Sequence, residues 1–226
     1  MKINIFTLFP EIFTSYLSFG VIARAFEKQI CQLNLVNIRD FATDKRQNVD
    51  DYPFGGGPGM IMRADIIGNA IDNQEINFNK NKFIFTSPKG QKFNQNIAIK
   101  YSKLSEISIL CGRYEGIDQR VIDQYNMEEI SVGDYILSGG ELPALTMIDA
   151  ILRNIPNILG NKESLIEETF NDDFLEYPQY TRPREWKNRK VPEILLSGNH
   201  AKIKQWQGGK KLLTKSKFTK NDSENN

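Results

Sequence analysis

The clearest candidate for a binding site in this sequence is a glycine-rich turn that joins two apolar segments. In SVGDYILSGGELPALTMIDAILR (131–153), a strand-like stretch at 135–137 precedes a Ser-Gly-Gly turn at 138–140. Glu141 and Pro143 then open a helical pattern that continues to the end of the quoted segment. A strand, a glycine turn and a helix in succession are typical of sites where the backbone approaches a small ligand closely. The sequence therefore predicts a ligand at this turn.

The chemistry available to the protein is limited by its single histidine, His200. One histidine excludes a two-histidine metal site within one chain, and a cysteine–histidine zinc site with the usual number of ligands. Cys31 and Cys111 lie in apolar, strand-like segments, and no disulfide is expected in a reducing compartment. His200, in SGNHAKI, is expected to serve structure near a helix start. No metal site is predicted, so carboxylates, arginines and backbone dipoles must carry any catalysis.

Three further glycine-bearing loops follow strand-like segments, namely YPFGGGPGM (52–60), TSPKGQ (86–91) and CGRYEGID (111–118). Together with the loop at 133–143, they are expected to meet at one sheet edge and share a pocket. No GxGxxG follows a strand and no GxxxxGK[ST] occurs, which disfavours the usual NAD and ATP pockets. A pocket of closely approaching backbone with few charges suits a nucleoside-like ligand that carries an amino acid.

The elements that must position these loops alternate between strands and helices. Short apolar runs rich in Ile, Phe and Val predict strands at 3–9, 33–38, 82–87, 107–112 and 128–133. Apolar spacing near 3.6 predicts helices at 10–28, 64–72, 94–104 and 116–125. This alternation predicts an α/β fold with a mostly parallel sheet, in which ligands bind beyond the carboxyl ends of the strands.

The charges divide the chain into a mildly acidic body and a basic segment near its C-terminus. Residues 1–181 contain 17 Lys and Arg against 24 Asp and Glu, whereas residues 182–220 contain 12 against 2. The basic segment predicts a polyanionic partner, most simply a nucleic acid; a solvated basic tail without a partner is the alternative. No apolar run reaches the roughly 20 residues that span a bilayer, and the N-terminus lacks a signal-peptide cleavage site. A cytoplasmic protein without a membrane partner is expected.

Six segments resemble the signature segments of the bacterial tRNA (guanine-37-N1)-methyltransferase family: LFPEIF, VDDYPFGGGPGM, LCGRYEGIDQRV, SVGDYILSGGELPA, YPQYTRP and LLSGNHAKI. They occur in the family's order and near its spacing, and the resemblance covers residues 1–206. It implies the fold of the knotted (SPOUT-class) methyltransferases, a sheet domain whose deep trefoil knot binds S-adenosylmethionine in a bent form. It also implies a homodimer that holds the tRNA nucleotide between one subunit's cofactor site and the other's C-terminal domain. Mg²⁺ is implied only in the same way.

The resemblance and the charge pattern together predict the domain organisation. A knotted cofactor-binding α/β domain is expected at 1–160, followed by a linker at 161–177. A basic helical tRNA-binding domain is expected at 178–220, and a disordered tail at 221–226.

The resemblance also implies which residues bind S-adenosylmethionine. The segment 132–137 would wrap the methyl donor through backbone N–H and C=O groups, and Gly112 would let the chain pass close to it. Backbone recognition of adenine explains why glycine and apolar residues predominate. The predicted set is Ser87, Pro88, Gly112, Tyr114, Val132, Gly133, Asp134, Tyr135, Ile136, Leu137, Gly140 and Pro143.

Two catalytic residues follow from the resemblance. Methyl transfer to guanine N1 requires removal of the N1 proton while negative charge develops toward O6. The family's linker carboxylate corresponds to Glu168, and its arginine at the end of the helix after the turn corresponds to Arg153. The chain departs from the family here, because it has Glu-Thr-Phe where members usually have Asp-Ser-Phe, and Gln179 where histidine is common. Neighbouring carboxylates that could act instead are Glu167, Asp172 and Asp173.

The leading hypothesis is an S-adenosylmethionine-dependent enzyme that methylates N1 of guanine 37 in tRNA. One alternative is a related knotted methyltransferase that acts on another RNA site. Another is a non-catalytic RNA-binding protein that retains the fold.

Overall fold

The chain divides into two compact units, Met1–Gly160 and Asn161–Asn226. The structure is a computed structural model that describes residues 1–158, 174–175, 177–210 and 212–213. Glu168 and its neighbouring carboxylates lie outside the described residues, as do nearly all of the predicted linker and the predicted tail at 221–226.

The strands and helices of the described residues are as follows. In chain order, the strands are β1 (Lys2–Thr7), β2 (Gln32–Asn37), β3 (Asp50–Asp51), β4 (Ile61–Met62), β5 (Asn81–Lys92), β6 (Glu106–Cys111), β7 (Glu128–Ser131), β8 (Phe174–Leu175), β9 (Glu185–Trp186), β10 (Arg189–Lys190) and β11 (Leu212–Leu213). The helices are α1 (Pro10–Leu17), α2 (Gly20–Glu27), α3 (Ala64–Asp72), α4 (Gln95–Ser102), α5 (Gln119–Gln124), α6 (Glu141–Arg153), α7 (Glu193–Leu196) and α8 (His200–Lys210), with a 3₁₀ turn at Ile38–Phe41.

A five-stranded parallel sheet forms the centre of the first unit. Its strand order is β2-β1-β6-β5-β7, and every neighbouring pair is parallel. All six residues of β6 are buried, as expected of a central parallel strand covered on both faces. The predicted α/β fold with a mostly parallel sheet is confirmed.

The two faces of the sheet carry separate apolar cores, because successive side chains of a strand point to opposite faces. Ile3 and Ile5 of β1 pack on one face with buried residues of α1, α2, α4 and α6. Phe6 of β1 packs on the other face with the buried isoleucines of α3 and with Val121 of α5. The sheet is therefore covered by helices on both sides, and loops at the carboxyl ends of the strands are left to form a site.

Two predicted elements have different bounds in the structure. The helix predicted at 10–28 is two helices, α1 and α2, because the chain breaks at Ser18–Phe19 and Gly20 adopts a positive φ of 72°. The loop predicted at 86–91 belongs to β5, whose pairing with β7 shifts register between Thr86 and Gln91. The shift contains Pro88, which has no N–H to donate to a neighbouring strand.

The strand-like stretch at 135–137 is not a strand, so this prediction was wrong. No described strand pairs with it, and its side chains are exposed, Ile136 by 80%. A short apolar run cannot reveal by itself whether its side chains enter a core or border a cavity. The helix predicted after it is confirmed, because α6 spans Glu141–Arg153.

The described part of the second unit combines a hairpin with short helices. The strands β9 and β10 pair in antiparallel fashion and precede α7 and α8. Asn199 Oδ1 accepts a hydrogen bond of 3.1 Å from Lys202 N, which confirms the helix start predicted at SGN. Beyond α8, Leu212–Leu213 forms a strand with Phe174–Leu175 where helix was expected, so pairing between distant segments overrides the local pattern. No helix among the described residues is long and apolar enough to cross a membrane.

Candidate functional site

The carboxyl ends of β5, β6 and β7 and the first turn of α6 surround a cavity of about 440 Å³. Of the twelve residues predicted to bind the cofactor, those that line this cavity are Ser87, Pro88, Gly112, Tyr114, Val132, Gly133, Tyr135, Ile136, Leu137, Gly140 and Pro143. Asp134 does not line it; its carboxylate forms an ion pair with Lys92, and both side chains are largely exposed. The structure thus brings nearly the whole predicted set to one place, where parallel sheets bind ligands.

The glycine turn is held against the end of β6. Gly140 N donates a hydrogen bond of 2.9 Å to Gly112 O, and Ala144 N donates to Gly140 O to begin α6. A Cβ at Gly140 would overlap Thr86 Oγ1 and lie 2.8 Å from Cys111 Cα and Gly112 N. Its φ is −82°, so glycine is required here by lack of space and not by conformation. The space that a Cβ would need is filled by Thr86 of β5 and by the end of β6 with the residue after it, so close packing within the protein accounts for this glycine.

An ion pair inside the protein joins the turn to the sheet. Arg113 Nη2 lies 2.9 Å from Glu141 Oε2, and Thr7 Oγ1 donates a hydrogen bond of 2.9 Å to Glu141 Oε1. Arg113 Nη1 also donates to Ser138 O at 3.2 Å, and its guanidinium lies 4.5 Å from the ring centroid of Phe9. Glu141 is only 2% exposed and lies at the N-terminus of α6, where the helix dipole favours a negative charge. These contacts therefore hold β1, the loop after β6 and α6 together beside the cavity.

The loop after β6 contains two residues with positive φ, a backbone conformation that favours glycine. Gly116 adopts a φ of 124°, and Tyr114 adopts a φ of 58° without being glycine. Glu115 N donates a hydrogen bond of 3.0 Å to Met60 O, and Met62 N donates one of 3.0 Å to Gly116 O. This loop is therefore fixed to the short strand β4 as well as to β6.

The four glycine-bearing loops do not all share one pocket, as the sequence had predicted. Three of them line the cavity described above, whereas residues 52–54 of the fourth line a separate cavity of about 1070 Å³. Ile117 and Gln119 line both cavities. The two cavities are therefore neighbours on the same side of the first unit.

Of the two predicted catalytic residues, the structure describes Arg153, and Arg153 does not lie at the cavity. Arg153 is half-buried at the end of α6 and is not among the lining residues. Since α6 is 13 residues long, Arg153 lies about 18 Å from the glycine turn at 1.5 Å per residue. Glu168 lies outside the described residues.

Several residues that contribute to the site were not predicted from the sequence. Thr86, Arg113 and Gly139 line the cavity, and Arg113 makes the contacts that hold the turn. Arg113 stands inside the segment CGRYEGID, but nothing local indicates that its partner is Glu141. Cys111 packs behind the turn, where burial and then the charge of Glu141 raise the pKa of its thiol. A thiolate nucleophile is therefore disfavoured at this position.

Comparisons with the sequences of known proteins identify the family of the chain. The model of the family tRNA (Guanine-1)-methyltransferase TrmD matches residues 1–224. A protein of Wolbachia pipientis wMel, named tRNA (guanine-N(1)-)-methyltransferase, is 51% identical over 208 residues, which cover 91% of this chain and 88% of the relative. Proteins with the same name from Ehrlichia canis (strain Jake) and Clostridioides difficile (strain 630) are 52% and 51% identical; the matches cover 92% of this chain and 88% and 90% of those proteins. With half of the residues identical along nearly the full length of each relative, the chain belongs to the tRNA (guanine-N1)-methyltransferase family of enzymes.

Proposed function

We propose that this enzyme transfers a methyl group from S-adenosylmethionine to N1 of guanine 37 in tRNA. The observation that carries the proposal is the cavity of about 440 Å³ at the ends of β5, β6 and β7, with its glycine turn and apolar wall. The related proteins are named for methylation of guanine N1 in tRNA. Position 37 rests on the family resemblance of the sequence.

The lining residues fit S-adenosylmethionine. Its adenine and amino acid groups need hydrogen-bonding partners close to an apolar surface, which backbone at 132–137 and Gly112 can provide. Tyr135, Ile136 and Leu137 would cover the ligand, because they border the cavity and are between 39% and 80% exposed. Bound there, S-adenosylmethionine would supply a methyl group on a positively charged sulfur.

The remaining chemistry is proton removal and charge stabilisation on guanine. We assign the removal of the N1 proton to Glu168, since a carboxylate can act as a general base. We assign the stabilisation of charge at O6 to Arg153, since a guanidinium stays protonated at any relevant pH. No three histidine, cysteine or acidic side chains among the described residues are placed to hold a metal ion, and Mg²⁺ is implied only by the family resemblance.

A homodimer is part of the proposal, because Arg153 lies far from the cavity of its own chain. The distance of about 18 Å along α6 means that a guanine near the donor would need Arg153 of a second copy. Exposed apolar side chains suit such a contact: Phe19, between α1 and α2, is 75% exposed, and Leu142 of α6 is 59% exposed. Tyr16 Oη donates a hydrogen bond of 3.2 Å to Asp149 Oδ2, which ties α1 to α6 in this region.

The trefoil knot also belongs to the proposal. It is supported by the hydrogen bond from Gly140 N to Gly112 O, which returns the chain after β7 to the end of β6. Since β5 lies between β6 and β7, the returning segment must pass over the end of β5.

Primer extension on tRNA treated with enzyme and S-adenosylmethionine tests the reaction and its position together. We expect a stop at guanine 37 and no stop with a transcript that carries adenine there. A stop at another nucleotide would support the related enzyme class instead. Calorimetry with S-adenosylmethionine distinguishes a non-catalytic RNA-binding protein, which would give no heat of donor binding.

A further inference from the structure

A β-hairpin in the second unit has features of an RNA-binding surface. The strands β9 and β10 pair Trp186 with Arg189 and Glu185 with Lys190, and Val191 N donates a hydrogen bond of 2.9 Å to Arg184 O. The turn residues Lys187 and Asn188 both have positive φ, 47° and 62°. A two-residue turn with both φ positive matches the natural twist of a hairpin, so this element is well formed.

The register of the hairpin separates its charges onto two faces. Residues paired directly across antiparallel strands share a face, and so do residues two apart on one strand. Arg184, Trp186 and Arg189 therefore lie on one face, which we call the Arg-Trp-Arg face. Glu185 and Lys190 lie on the opposite face, where their side chains form an ion pair of 3.9 Å. The one acidic residue of the hairpin is thus kept away from the tryptophan.

Trp186 is the central feature of the Arg-Trp-Arg face. Its side chain is 61% exposed, and Lys187 Nζ lies 4.9 Å from its ring centroid. The other tryptophan of the chain, Trp206, packs instead against Tyr180, with ring centroids 6.3 Å apart. Residues 182–190 contain five Lys and Arg and one acidic residue, which gives this short segment a strong positive charge. An exposed aromatic ring surrounded by cations is the combination that binds unpaired nucleotides.

We propose that the Arg-Trp-Arg face binds an unpaired tRNA nucleotide, with its base stacked on Trp186 and the adjoining phosphates contacted by Arg184 and Arg189. This inference rests on the proposed function, because it takes tRNA as the substrate. Charge complementarity favours RNA over a protein or lipid partner, since phosphates neutralise the arginines while the ring accepts any base. The hairpin would strengthen tRNA binding without contacting the reacting atoms.

Fluorescence of a single tryptophan provides a direct test of stacking. The variant Trp206→Phe leaves Trp186 as the only tryptophan of the full-length protein. Addition of a tRNA transcript should quench its fluorescence, because a stacked base quenches an indole ring. An unchanged signal at tRNA concentrations that saturate binding would overturn the proposal.

Affinity measurements on the full-length enzyme provide the second test. Trp186→Ala should weaken tRNA binding about 10-fold, within the range for loss of one stacked base. Trp186→Phe should retain most of the affinity, since an aromatic ring remains. Arg184→Gln and Arg189→Gln should each lower the slope of log affinity against log salt by about 1. The double variant Glu185→Gln/Lys190→Gln keeps the net charge and should bind as the wild type does.

The outcomes separate this proposal from the proposed function. If Trp186→Ala binds tRNA as the wild type does and still methylates guanine 37, the hairpin proposal is wrong and the proposed function stands. If the wild type neither binds nor methylates tRNA, the proposed function fails first. A loss of affinity in Trp186→Ala with unchanged donor affinity and unchanged rate at saturating tRNA supports the hairpin proposal. Equal losses in Trp186→Ala and Trp186→Phe would contradict it.

Discussion

Replacement of Gly140 with alanine tests whether close packing of the turn builds the donor cavity. The added Cβ would overlap Thr86 Oγ1 and lie 2.8 Å from Cys111 Cα and Gly112 N. Ordinary van der Waals contact begins at 3.4 Å, so the Cβ would lie 0.6 Å too close to backbone atoms of β6 and of the loop that follows it. The hydroxyl of Thr86 can rotate away, but these backbone atoms are fixed in the sheet. We therefore expect the turn at 138–140 to move away from the sheet.

The size of the effect follows from the cost of overpacking, which is about 1–3 kcal/mol for an added methyl group in a packed region. If donor binding requires the wild-type position of the turn, this cost appears as lost affinity for S-adenosylmethionine. At about 1.4 kcal/mol for each factor of ten, donor affinity should fall about 5- to 150-fold.

Calorimetry with S-adenosylmethionine measures the loss, and two further variants show its cause. Gly208→Ala lies in α8, where an added Cβ meets no atom within 4 Å, and it should leave donor affinity unchanged. Thr86→Ala combined with Gly140→Ala should recover only a small part of the loss, because the contacts with Cys111 and Gly112 remain. A dissociation constant for Gly140→Ala within threefold of the wild type would refute the argument. Full recovery in the double variant would show that the hydroxyl, and not the backbone, sets the limit.

Three further predictions concern catalysis, tRNA binding and acid stability. Glu168→Gln cannot accept the N1 proton, so the single-turnover rate should fall about 10²-fold or more while donor and tRNA affinities stay within a few-fold; near-normal turnover would reject the assignment. Lys202→Gln/Lys204→Gln should reduce the salt dependence of tRNA affinity and leave donor affinity alone, whereas a wild-type affinity that does not respond to salt would contradict this. Hydrogen bonds from Arg120 lower the pKa of Asp118 in the folded protein. The ionised carboxylate therefore stabilises the fold at pH values above its pKa in the unfolded chain, which is near 3.9. This contribution to stability is lost as the pH falls through the lower pKa of the folded state. Asp118→Asn, which can still cap α5, should therefore show a shallower loss of melting temperature below about pH 4; an unchanged acid response would contradict the linkage.

Local patterns in the sequence determined the elements of the fold. The bounds of α6 and α3 agree with the predicted helices at 141–153 and 64–72, and a strand was found at each of the five positions predicted for the sheet. Such elements depend on side-chain periodicity and on glycine or proline at their ends, which neighbouring residues specify. The alternation of strands and helices then predicted that the loops meet at one sheet edge, whereas the individual cofactor-binding residues were implied by the resemblance to the family.

The tertiary structure decided which apolar segments pair as strands and which atoms surround each residue at the cavity. The apolar stretch at 135–137 borders a cavity and does not pair as a strand, since that choice depends on which segments lie beside it. Gly140 is needed because β6 and β5 fill the space next to it.

Contacts between residues far apart in the chain could not be read from the sequence. The ion pair of Arg113 with Glu141 joins residues 28 positions apart, and Thr7 reaches Glu141 over 134 positions. The length of α6 separates Arg153 from the cavity at the glycine turn of its own chain. The sequence by itself determined most strands and helices of the first unit and the family, because these depend on local patterns and motifs. Only the folded chain determined the geometry of the site, because that geometry depends on which distant segments share the same space.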